Sequence, residues 1–302
     1  VGTGNLAGVA IAISIGGPGA VFWMWVMAII GASSSFIEST LAQIYKEKEG
    51  DHFRGGPAYY MEKALGQKWM GVLFSIIISI VFGLIFNSVQ ANTITLAFEK
   101  AFSIDRTILG VILSVMTAVI IFGGVKRIAQ FVEYIVPIMA VAYVIVALIV
   151  IVKNFNHIPA VFSQIISGAF GFNQAVGGGI GAVIMQGVKR GLFSNEAGMG
   201  STPHAHAVAK VNHPVEQGFV AMAGVFIDTF IVLNLTALVI LTTKSIPTGK
   251  TGAELSQYAF STLYGKGGNI FIAICMFFFA FSTIIGWYFF GQANVKYLFG
   301  PK

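Results

Sequence analysis

The sequence predicts an all-α membrane protein, a bundle of helices that cross a lipid bilayer, and three observations support this class. Hydrophobic residues make up 56% of the 302 residues, and the mean hydropathy is +0.82. Charged residues make up 10%, against about 25% in soluble domains. Several charge-free stretches reach the about 20 residues that a transmembrane helix needs. These values exclude soluble, secreted, disordered and nucleic-acid-binding classes, so no nucleic-acid partner is expected.

Charge-free stretches define the predicted spans. The prediction is a half span at about 1–15 and full spans near 19–45, 69–98, 107–124, 131–152, 161–188, 217–243 and 267–295. Gly16, Gly17, Pro18 and Gly19 separate the half span from the first full span, because glycine and proline interrupt helices. We expect the chain to begin inside a membrane helix, as a fragment of a longer protein.

The basic residues predict the orientation of these spans. Alternate assignment of the loops places twelve of the 18 Lys and Arg residues on one side and six on the other. The richer side is expected to face the cytoplasm by the positive-inside rule. The long loop 46–68 is therefore predicted to be cytoplasmic, and the half span is predicted to exit outward.

Two glycine-rich stretches interrupt the helical pattern. The first, residues 1–5 followed by Gly8, alternates glycine with small polar residues at the start of an apolar helix. The second, residues 176–181, contains three consecutive glycines within a charge-free run. Each glycine costs a helix about 1 kcal/mol relative to alanine, which disfavours continuous helices here. We therefore predict two broken helices; the alternative is that these glycines serve only close packing of ordinary helices.

The two predicted interruptions occupy corresponding positions in two halves of the chain, 1–153 and 154–302. An odd number of spans in the first half turns the second half upside down, which gives an inverted repeat. Paired broken helices in inverted halves predict a secondary transporter with its binding site near the middle of the bilayer. There, N–H groups at a helix N-terminus can bind an anion, and unwound carbonyl groups can bind a cation.

Several stretches resemble the alanine or glycine:cation symporter family, of the sodium:alanine symporter type. They read GTGNLAGVA at 2–10, GGPGAVFWMW at 16–25, KRGLFSNEAGMGS at 189–201, VFIDT at 225–229 and FSTIIGW at 281–287. The resemblance implies a leucine-transporter-type five-plus-five inverted-repeat bundle with two broken helices, truncated here at both ends. It implies alternating-access symport of a small neutral amino acid, alanine or glycine, in the plasma membrane of a prokaryote.

The same resemblance implies the partners. Sodium is the expected co-transported ion, with a proton as the alternative, and no further cofactor or metal is expected. The remaining partners are the amino acid and the lipid bilayer. A monomer is compatible with the sequence, which does not distinguish it from an oligomer.

The resemblance also implies where the solutes bind. The substrate carboxylate would meet N–H groups at the first broken helix, and carbonyl groups of the second would meet its ammonium group. The implied substrate-binding residues are Thr3, Gly4, Asn5, Gln90, Gly177, Gly178, Gly179, Thr283 and Trp287. The implied cation-binding residues are Val1, Phe279, Ser282 and Thr283. The structural alternatives are helix capping by Thr3 and hydroxyl groups that bond their own backbone.

Polar side chains inside the spans complete the candidates. Gln90 is expected to contact the substrate or to form an interhelical hydrogen bond. Asp228, an acid near the centre of its span, would bind the cation or be held by hydroxyl groups such as that of Thr229. Arg190 and Glu196 are expected to form structural pairs or an inner gate. Trp287 is expected to close the binding site and limit the size of the substrate side chain.

Other functions receive little support from the remaining polar residues. His204, His206 and His213 lack an acid or cysteine at ligand spacing, so we expect solvated loop histidines rather than a zinc site. Ser201 and His204 are the conceivable dyad of a membrane-embedded hydrolase, but no Gly-x-Ser-x-Gly motif is present, so no enzyme is expected. A channel would require an acid-lined face or a carbonyl filter, and neither pattern is found. Glu38 is expected to be a structural or gate residue.

Overall fold

The computed structural model describes residues 2–50, 52–171 and 179–300, with the backbone alone described for 124–132. The helices of the first part are α1 (Gly4–Gly16), α2 (Ala20–Ile44), α3 (Pro57–Leu65), α4 (Lys68–Phe102), α5 (Arg106–Ile121) and α6 (Gly124–Lys153). The second part contains α7 (Ile158–Ala169), α8 (Gly179–Asn195), α9 (Pro203–Val208), α10 (Pro214–Thr242), α11 (Gly252–Tyr264) and α12 (Lys266–Phe299). Strands β1 (Glu47–Glu49) and β2 (His52–Arg54) form one antiparallel hairpin.

Local sequence explains several helix ends. Gly17, with φ 73°, ends α1 in a conformation that disfavours residues with a side chain, and Pro18 follows it. Asp105 caps α5, because its carboxylate accepts hydrogen bonds from the N–H groups of Thr107 at 2.8 Å and Ile108 at 3.3 Å. Gly66, left-handed at φ 65°, ends α3. The predicted separation of α1 from α2 at 16–19 is confirmed.

Within the described part of the chain, five helical stretches are long and apolar enough to cross a membrane. They are Ala20–Ile44, Lys68–Phe102, Glu133–Lys153, Pro214–Thr242 and Lys266–Phe299. Helices α1 and α5 are shorter apolar helices. These elements confirm a mostly helical, integral membrane protein. The predicted span 161–188 differs, because α7 ends at Ala169 and α8 begins at Gly179.

Three of the described helices contain a wider π-helical turn, at Gly4–Gly8 in α1, Val81–Ile85 in α4 and Ile227–Leu233 in α10. A π-turn shifts the backbone hydrogen bonds by one residue and often marks a functional site. The prediction that Gly4 and Asn5 belong to an unwound segment is wrong, because both lie within helix α1. The backbone there departs from regular helix geometry as a π-turn, and two of its carbonyl oxygens accept hydrogen bonds from side-chain hydroxyl groups.

The described contacts divide the chain into two compact units. The first unit comprises Val1–Ala28, Gln90–Asn195 and Ile227–Thr283, and the second comprises Ile29–Val89, Glu196–Phe226 and Ile284–Lys302. Each unit takes segments from both predicted halves, so this division differs from the division into repeats at residue 153. The relation of 1–153 and 154–302 as inverted repeats stays a prediction.

Within the first unit, α1 is buried and packs antiparallel to α8. A methyl group built on Gly4 would lie 2.7 Å from the Cα of Ser194, and one on Gly16 would lie 3.1 Å from the Cβ of Gln186. The start of α1 therefore meets the end of α8, and the end of α1 meets the middle of α8. Glycine allows this close approach. At Gly4 the glycine therefore serves close packing of helices, which was the alternative interpretation of the sequence.

Candidate functional site

The start of α1 carries a cluster of polar groups in the first unit. The Thr3 N–H donates to Oε1 of Gln90 at 3.2 Å, and the Gly2 N–H donates to Oδ1 of Asn5 at 3.3 Å. Thr3 is 2% exposed, and its hydroxyl oxygen has no hydrogen-bond partner among the described residues. A buried hydroxyl without a partner costs free energy, so this group is suited to a ligand. The structure thus brings Thr3 and Gln90 together through an interhelical hydrogen bond, and their contact with a substrate stays a prediction.

Two hydroxyl groups of α12 converge on one carbonyl group. Ser282 Oγ donates to the Phe279 carbonyl oxygen at 2.9 Å, and Thr283 Oγ1 donates to the same oxygen at 2.8 Å. These are the own-backbone bonds that the sequence left as an alternative. A hydroxyl group that donates one bond keeps lone pairs, so the three oxygens can still act as ligands of a hard cation.

Thr283 also lies against the backbone that precedes α1. A methyl group built on Gly2 would lie 2.8 Å from Thr283 Oγ1 and 3.4 Å from Gln90 Nε2. Gln90 and Thr283 therefore both lie against the backbone at Gly2, although the three residues are far apart in sequence. Val1, predicted to complete the cation site, lies outside the described residues.

The second predicted broken helix is described only from Gly179 onward. Gly177 and Gly178 lie outside the described residues, so their predicted carbonyl contacts stay predictions. Gly179 is the first residue of α8 and has φ 66°, a left-handed conformation that favours glycine.

A buried carboxylate joins the π-turns of α1 and α10. Asp228 Oδ1 accepts a hydrogen bond from Asn5 Nδ2 at 2.7 Å, and Asp228 Oδ2 accepts one from Ser194 Oγ at 2.9 Å. Asp228 is thus held by a hydroxyl group, that of Ser194, whereas Thr229 Oγ1 accepts from Asn195 Nδ2 at 3.2 Å. Ser194 was not a candidate from sequence, although its small polar side chain lies within the stretch 189–201 that carries the family resemblance.

Side-chain hydroxyl groups satisfy carbonyl groups of the α1 π-turn. Thr236 Oγ1 donates to the Asn5 carbonyl oxygen at 2.6 Å, and Ser256 Oγ donates to the Leu6 carbonyl oxygen at 2.8 Å. A π-turn weakens the regular ladder of helix bonds, so external donors stabilise it. These two residues were missed in the sequence, because a lone hydroxyl group in a span is most often bonded to its own helix.

In the second unit, Glu196 holds the indole ring of Trp287. Trp287 Nε1 donates to Glu196 Oε1 at 2.7 Å, and the Ser201 hydroxyl donates to Glu196 Oε2. The indole packs edge-on against Phe82, with ring centroids 5.4 Å apart, and lies 5.6 Å from the ring of Phe86. Trp287 is 2% exposed, so its orientation is determined by packing and by the carboxylate.

The gate predicted from Arg190 and Glu196 is not established. Arg190 belongs to the first unit and Glu196 to the second. The Nε of Arg190 is buried and has no hydrogen-bond partner among the described residues. Glu196 has φ 54°, which is uncommon for a residue with a side chain and is maintained by its hydrogen bonds. The gate stays a prediction.

Glu38 has a structural function in the second unit. Its carboxylate accepts hydrogen bonds from the N–H groups of Gly198 at 3.1 Å and Gly200 at 3.2 Å, and from the Thr202 hydroxyl at 3.4 Å. Both glycines have positive φ, 76° and 75°. The loop after α8 thus turns its backbone amides toward one carboxylate of α2, as in an anion-binding turn.

The prediction of solvated loop histidines is wrong for His204. The residue is buried, and its ring stacks on that of Phe74 with centroids 6.3 Å apart. Asn294 Nδ2 donates to Nε2 of His204 at 2.8 Å, and Nδ1 lies 2.9 Å from the Ser201 carbonyl oxygen. This arrangement requires a neutral ring that carries its proton on Nδ1. Burial lowers the pKa of His204 to about 4.

We expect this histidine to make stability depend on pH. Above pH 6.5 both the folded and unfolded states hold a neutral ring. Below pH 6.5 the imidazole becomes protonated in the unfolded state, whereas in the folded state it stays neutral down to about pH 4. The free energy of unfolding should therefore fall by up to about 3 kcal/mol over this window. Thermal unfolding between pH 7 and pH 4 measures it.

Two variants provide the controls. In His204→Gln the unfolding midpoint should vary less steeply between pH 6.5 and 4, although the variant is less stable throughout. The exposed His213, changed to glutamine, should keep the wild-type slope. An unchanged slope in His204→Gln would contradict the assignment.

No metal centre is found in the described part of the chain. There, no three His, Cys, Asp or Glu side chains are placed to hold a metal ion together. His206 Nδ1 instead lies 2.7 Å from Oε1 of Gln217, and His213 is exposed.

Comparison with known proteins gives matches along the whole chain. Residues 1–302 match the model of the sodium:alanine symporter family. The chain is 52% identical over 298 residues to the amino-acid carrier protein AlsT of Bacillus subtilis (strain 168), covering 99% of this chain and 64% of AlsT. It is 53% identical over 299 residues to the probable sodium/glutamine symporter GlnT of the same strain, covering 99% and 63%.

A third relative is archaeal. The chain is 42% identical over 312 residues to the sodium/alanine symporter AgcS of Methanococcus maripaludis, covering 100% of this chain and 68% of AgcS. The chain thus spans less than two thirds of the length of AlsT and GlnT.

Proposed function

This chain belongs to the sodium:alanine symporter family, and on that premise we propose that it is part of a sodium-coupled symporter of a small neutral amino acid. Alanine or glycine is the proposed substrate, and alternating access is the proposed mechanism. The names of the relatives support an amino acid as the transported solute. They include a probable glutamine symporter, so the size of the side chain is the least constrained part of the proposal.

The proposed fold is the five-plus-five inverted repeat. The antiparallel packing of α1 against α8 supports it, because an inverted repeat places corresponding helices in opposite directions. The positive φ of Gly179 at the start of α8 also supports an interruption of the helix there. The predicted cytoplasmic position of loop 46–68 and a plasma-membrane location are part of the same proposal.

The observation that carries the proposal is the Thr3 hydroxyl at the start of a buried helix, which has no hydrogen-bond partner among the described residues. The first N–H groups of a helix lack partners within the helix, and the helix dipole favours an anion there. A substrate carboxylate at this position would accept a bond from Thr3 Oγ1 and lie at the positive end of the helix dipole, while the N–H groups of Gly2 and Thr3 stay bonded to Asn5 and Gln90. Gln90 would position the Thr3 backbone, since it already accepts the Thr3 N–H.

The proposed cation site lies at the oxygen cluster of α12. The Phe279 carbonyl and the hydroxyl groups of Ser282 and Thr283 supply three oxygen ligands, and both hydroxyl oxygens lie within hydrogen-bonding distance of the carbonyl oxygen. A sodium ion that binds these oxygens would also have backbone carbonyl oxygens before α1 as ligands. Coupling follows if the ion orders the start of α1 and so raises the affinity for the amino acid.

Trp287 is proposed to limit the size of the substrate side chain. It lies one helical turn after Thr283 in α12, on the same side of the helix. Glu196 would then be a positioning residue, because its carboxylate determines the orientation of the indole.

The experiment is isothermal titration of alanine into the purified chain in sodium, potassium or choline chloride. Sodium should be required for binding. In Thr283→Ala, the affinity for sodium should fall about 10- to 150-fold, since losing a bond to a charged group costs about 1.5–3 kcal/mol. Thr283→Ser should restore it, because serine keeps the hydroxyl group.

Thr242→Ala is the matched control. The Thr242 hydroxyl is also buried and donates to the carbonyl group four residues earlier, that of Leu238, at 2.7 Å. This variant should bind sodium and alanine as the wild-type chain does. Alanine affinity that is indifferent to sodium, or equal losses in both variants, would contradict the proposed site.

A proton is the second candidate for the coupling ion, and Asp228 is the observation that favours it. A buried carboxylate inside an apolar helix can carry a proton across the membrane. The two ions are distinguished by the Asp228 variant with which the Discussion begins.

A further inference from the structure

A pocket lined by three lysines lies beside the β1–β2 hairpin, in the second unit. Its volume is about 540 Å³, and its lining residues are Lys46, Lys48, Phe53, Lys210, Val211 and Asn212. The pocket is open to one side, and its lining contains no acidic residue among those described. Neither the proposed substrate site nor the proposed cation site uses any of these residues.

The register of the hairpin separates its charges onto two faces. Glu47 is opposite Arg54, and Lys48 is opposite Phe53. Residues directly opposite in an antiparallel pair share a face, and successive residues alternate between faces. The acidic residues Glu47 and Glu49 therefore point away from the face on which Lys48 and Phe53 line the pocket.

The nearby carboxylates already have cationic partners outside the pocket. Glu47 forms ion pairs with Arg54 at 3.2 Å and Lys63 at 3.0 Å. Glu49 forms one with Lys296 at 3.7 Å. Among the ion pairs of the described residues, none involves the pocket lysines. The positive charge of the pocket is therefore not compensated by these carboxylates.

Lys46 is held in place by neutral groups. Its Nζ donates to the Ala209 carbonyl oxygen at 2.9 Å and to Oε1 of Gln43, and it lies 4.2 Å from the centroid of the Phe53 ring. Burial lowers the pKa of Lys46, which indicates a partly desolvated ammonium group. An anion in the pocket would stabilise this charge.

The pocket follows directly on a membrane-spanning helix. Helix α2 ends at Ile44, two residues before Lys46. A residue at this distance from the end of a span lies at the level of the lipid headgroups, where basic clusters attract anionic lipids.

We propose that the lysine pocket binds a phosphate group, carried by the headgroup of an anionic phospholipid or by a soluble phosphate compound. The ammonium groups of Lys48 and Lys210 would bind the phosphate oxygens. Lys46, which is fixed by its neutral contacts, would form the floor of the pocket. This proposal does not depend on the transport function.

The test is a binding titration of the purified chain in neutral detergent with short-chain phosphatidylglycerol, short-chain phosphatidylcholine and inorganic phosphate. Phosphatidylglycerol is expected to bind more tightly than phosphatidylcholine. In K48Q/K210Q its affinity should fall about 30-fold, which corresponds to about 1 kcal/mol for each lysine. K48R/K210R should restore binding.

The matched control is K153Q/K266Q, which removes the same charge from two exposed lysines at other helix ends. It should bind phosphatidylglycerol as the wild-type chain does. Inorganic phosphate that binds with the same dependence on Lys48 and Lys210 would support the soluble source, and its failure to compete would support the lipid. The proposal is overturned if neither anion binds, or if K48Q/K210Q and the control lose affinity equally.

Discussion

Replacing Asp228 with asparagine is expected to lower sodium-dependent alanine binding about 10- to 150-fold while leaving the protein folded. The carboxylate accepts bonds from Asn5 Nδ2 and Ser194 Oγ. Asparagine has the same shape, and its amide oxygen can still accept from Asn5 Nδ2, but the negative charge is lost and the amide nitrogen cannot accept the Ser194 hydroxyl proton. A hydrogen bond to a charged group contributes about 1.5–3 kcal/mol, which gives the expected loss of affinity.

The loss should reach the substrate site through Asn5. With Asp228 present, the Asn5 amide group donates through Nδ2 and accepts the Gly2 N–H through Oδ1. Without the negative charge, the bond that fixes this orientation is weaker, so the Asn5 side chain holds the backbone before α1 less firmly. Alanine titration in sodium and in choline, at pH 6 and pH 8, measures the effect and tests the coupling ion. If a proton is coupled through Asp228, D228N should abolish the pH dependence of binding.

Glu38→Gln is the matched control for D228N. Glu38 is also a buried carboxylate in a membrane-spanning helix, but it is bonded to backbone amides of Gly198 and Gly200 in the other unit. This variant should lower the thermal unfolding midpoint without changing the sodium dependence of alanine binding. Ser194→Ala, which removes one of the two donors, should give a smaller loss than D228N. Wild-type affinity in D228N would show that the carboxylate is only structural.

Gly19→Ala is expected to be the most destabilising small substitution in the first unit. A methyl group at this position would lie 2.2 Å from the carbonyl carbon of Gly168 and 2.4 Å from the Ala169 nitrogen. These atoms belong to the backbone at the end of α7, so they cannot move as a flexible side chain would. We expect a loss of more than about 3 kcal/mol, the upper range for overpacking. Thermal unfolding in detergent, together with the yield of monodisperse protein, measures it.

Gly110→Ala is the control for this substitution. Gly110 lies within α5, and a methyl group there would meet no atom within 4 Å. Alanine favours helices by about 1 kcal/mol over glycine, so this variant should be as stable as the wild-type chain or slightly more stable. Equal stability of G19A and the wild-type chain would contradict the close approach of Gly19 to the end of α7.

The glycine-rich residues 1–8 and the loop histidines illustrate how far the sequence could predict the site. The unusual composition of residues 1–8 correctly indicated a special backbone, but it did not distinguish an unwound segment from a π-turn. That difference depends on Thr236 and Ser256, which donate to the carbonyl groups of the turn from more than 200 positions away. Similarly, three histidines in a polar loop indicated solvent exposure, whereas packing against Phe74 and Asn294 buries His204.

The sequence by itself determined the class of protein, the approximate ends of its spans and the turn between α1 and α2. These follow from local properties, since hydrophobic length specifies a span and glycine or proline ends a helix. Only the tertiary structure decided which polar groups meet: Asn5 and Ser194 on Asp228, and Glu196 on Trp287. The physical reason is that a hydrogen bond inside a helix bundle depends on the packing of helices distant in sequence, for which residue spacing along the chain carries no signal.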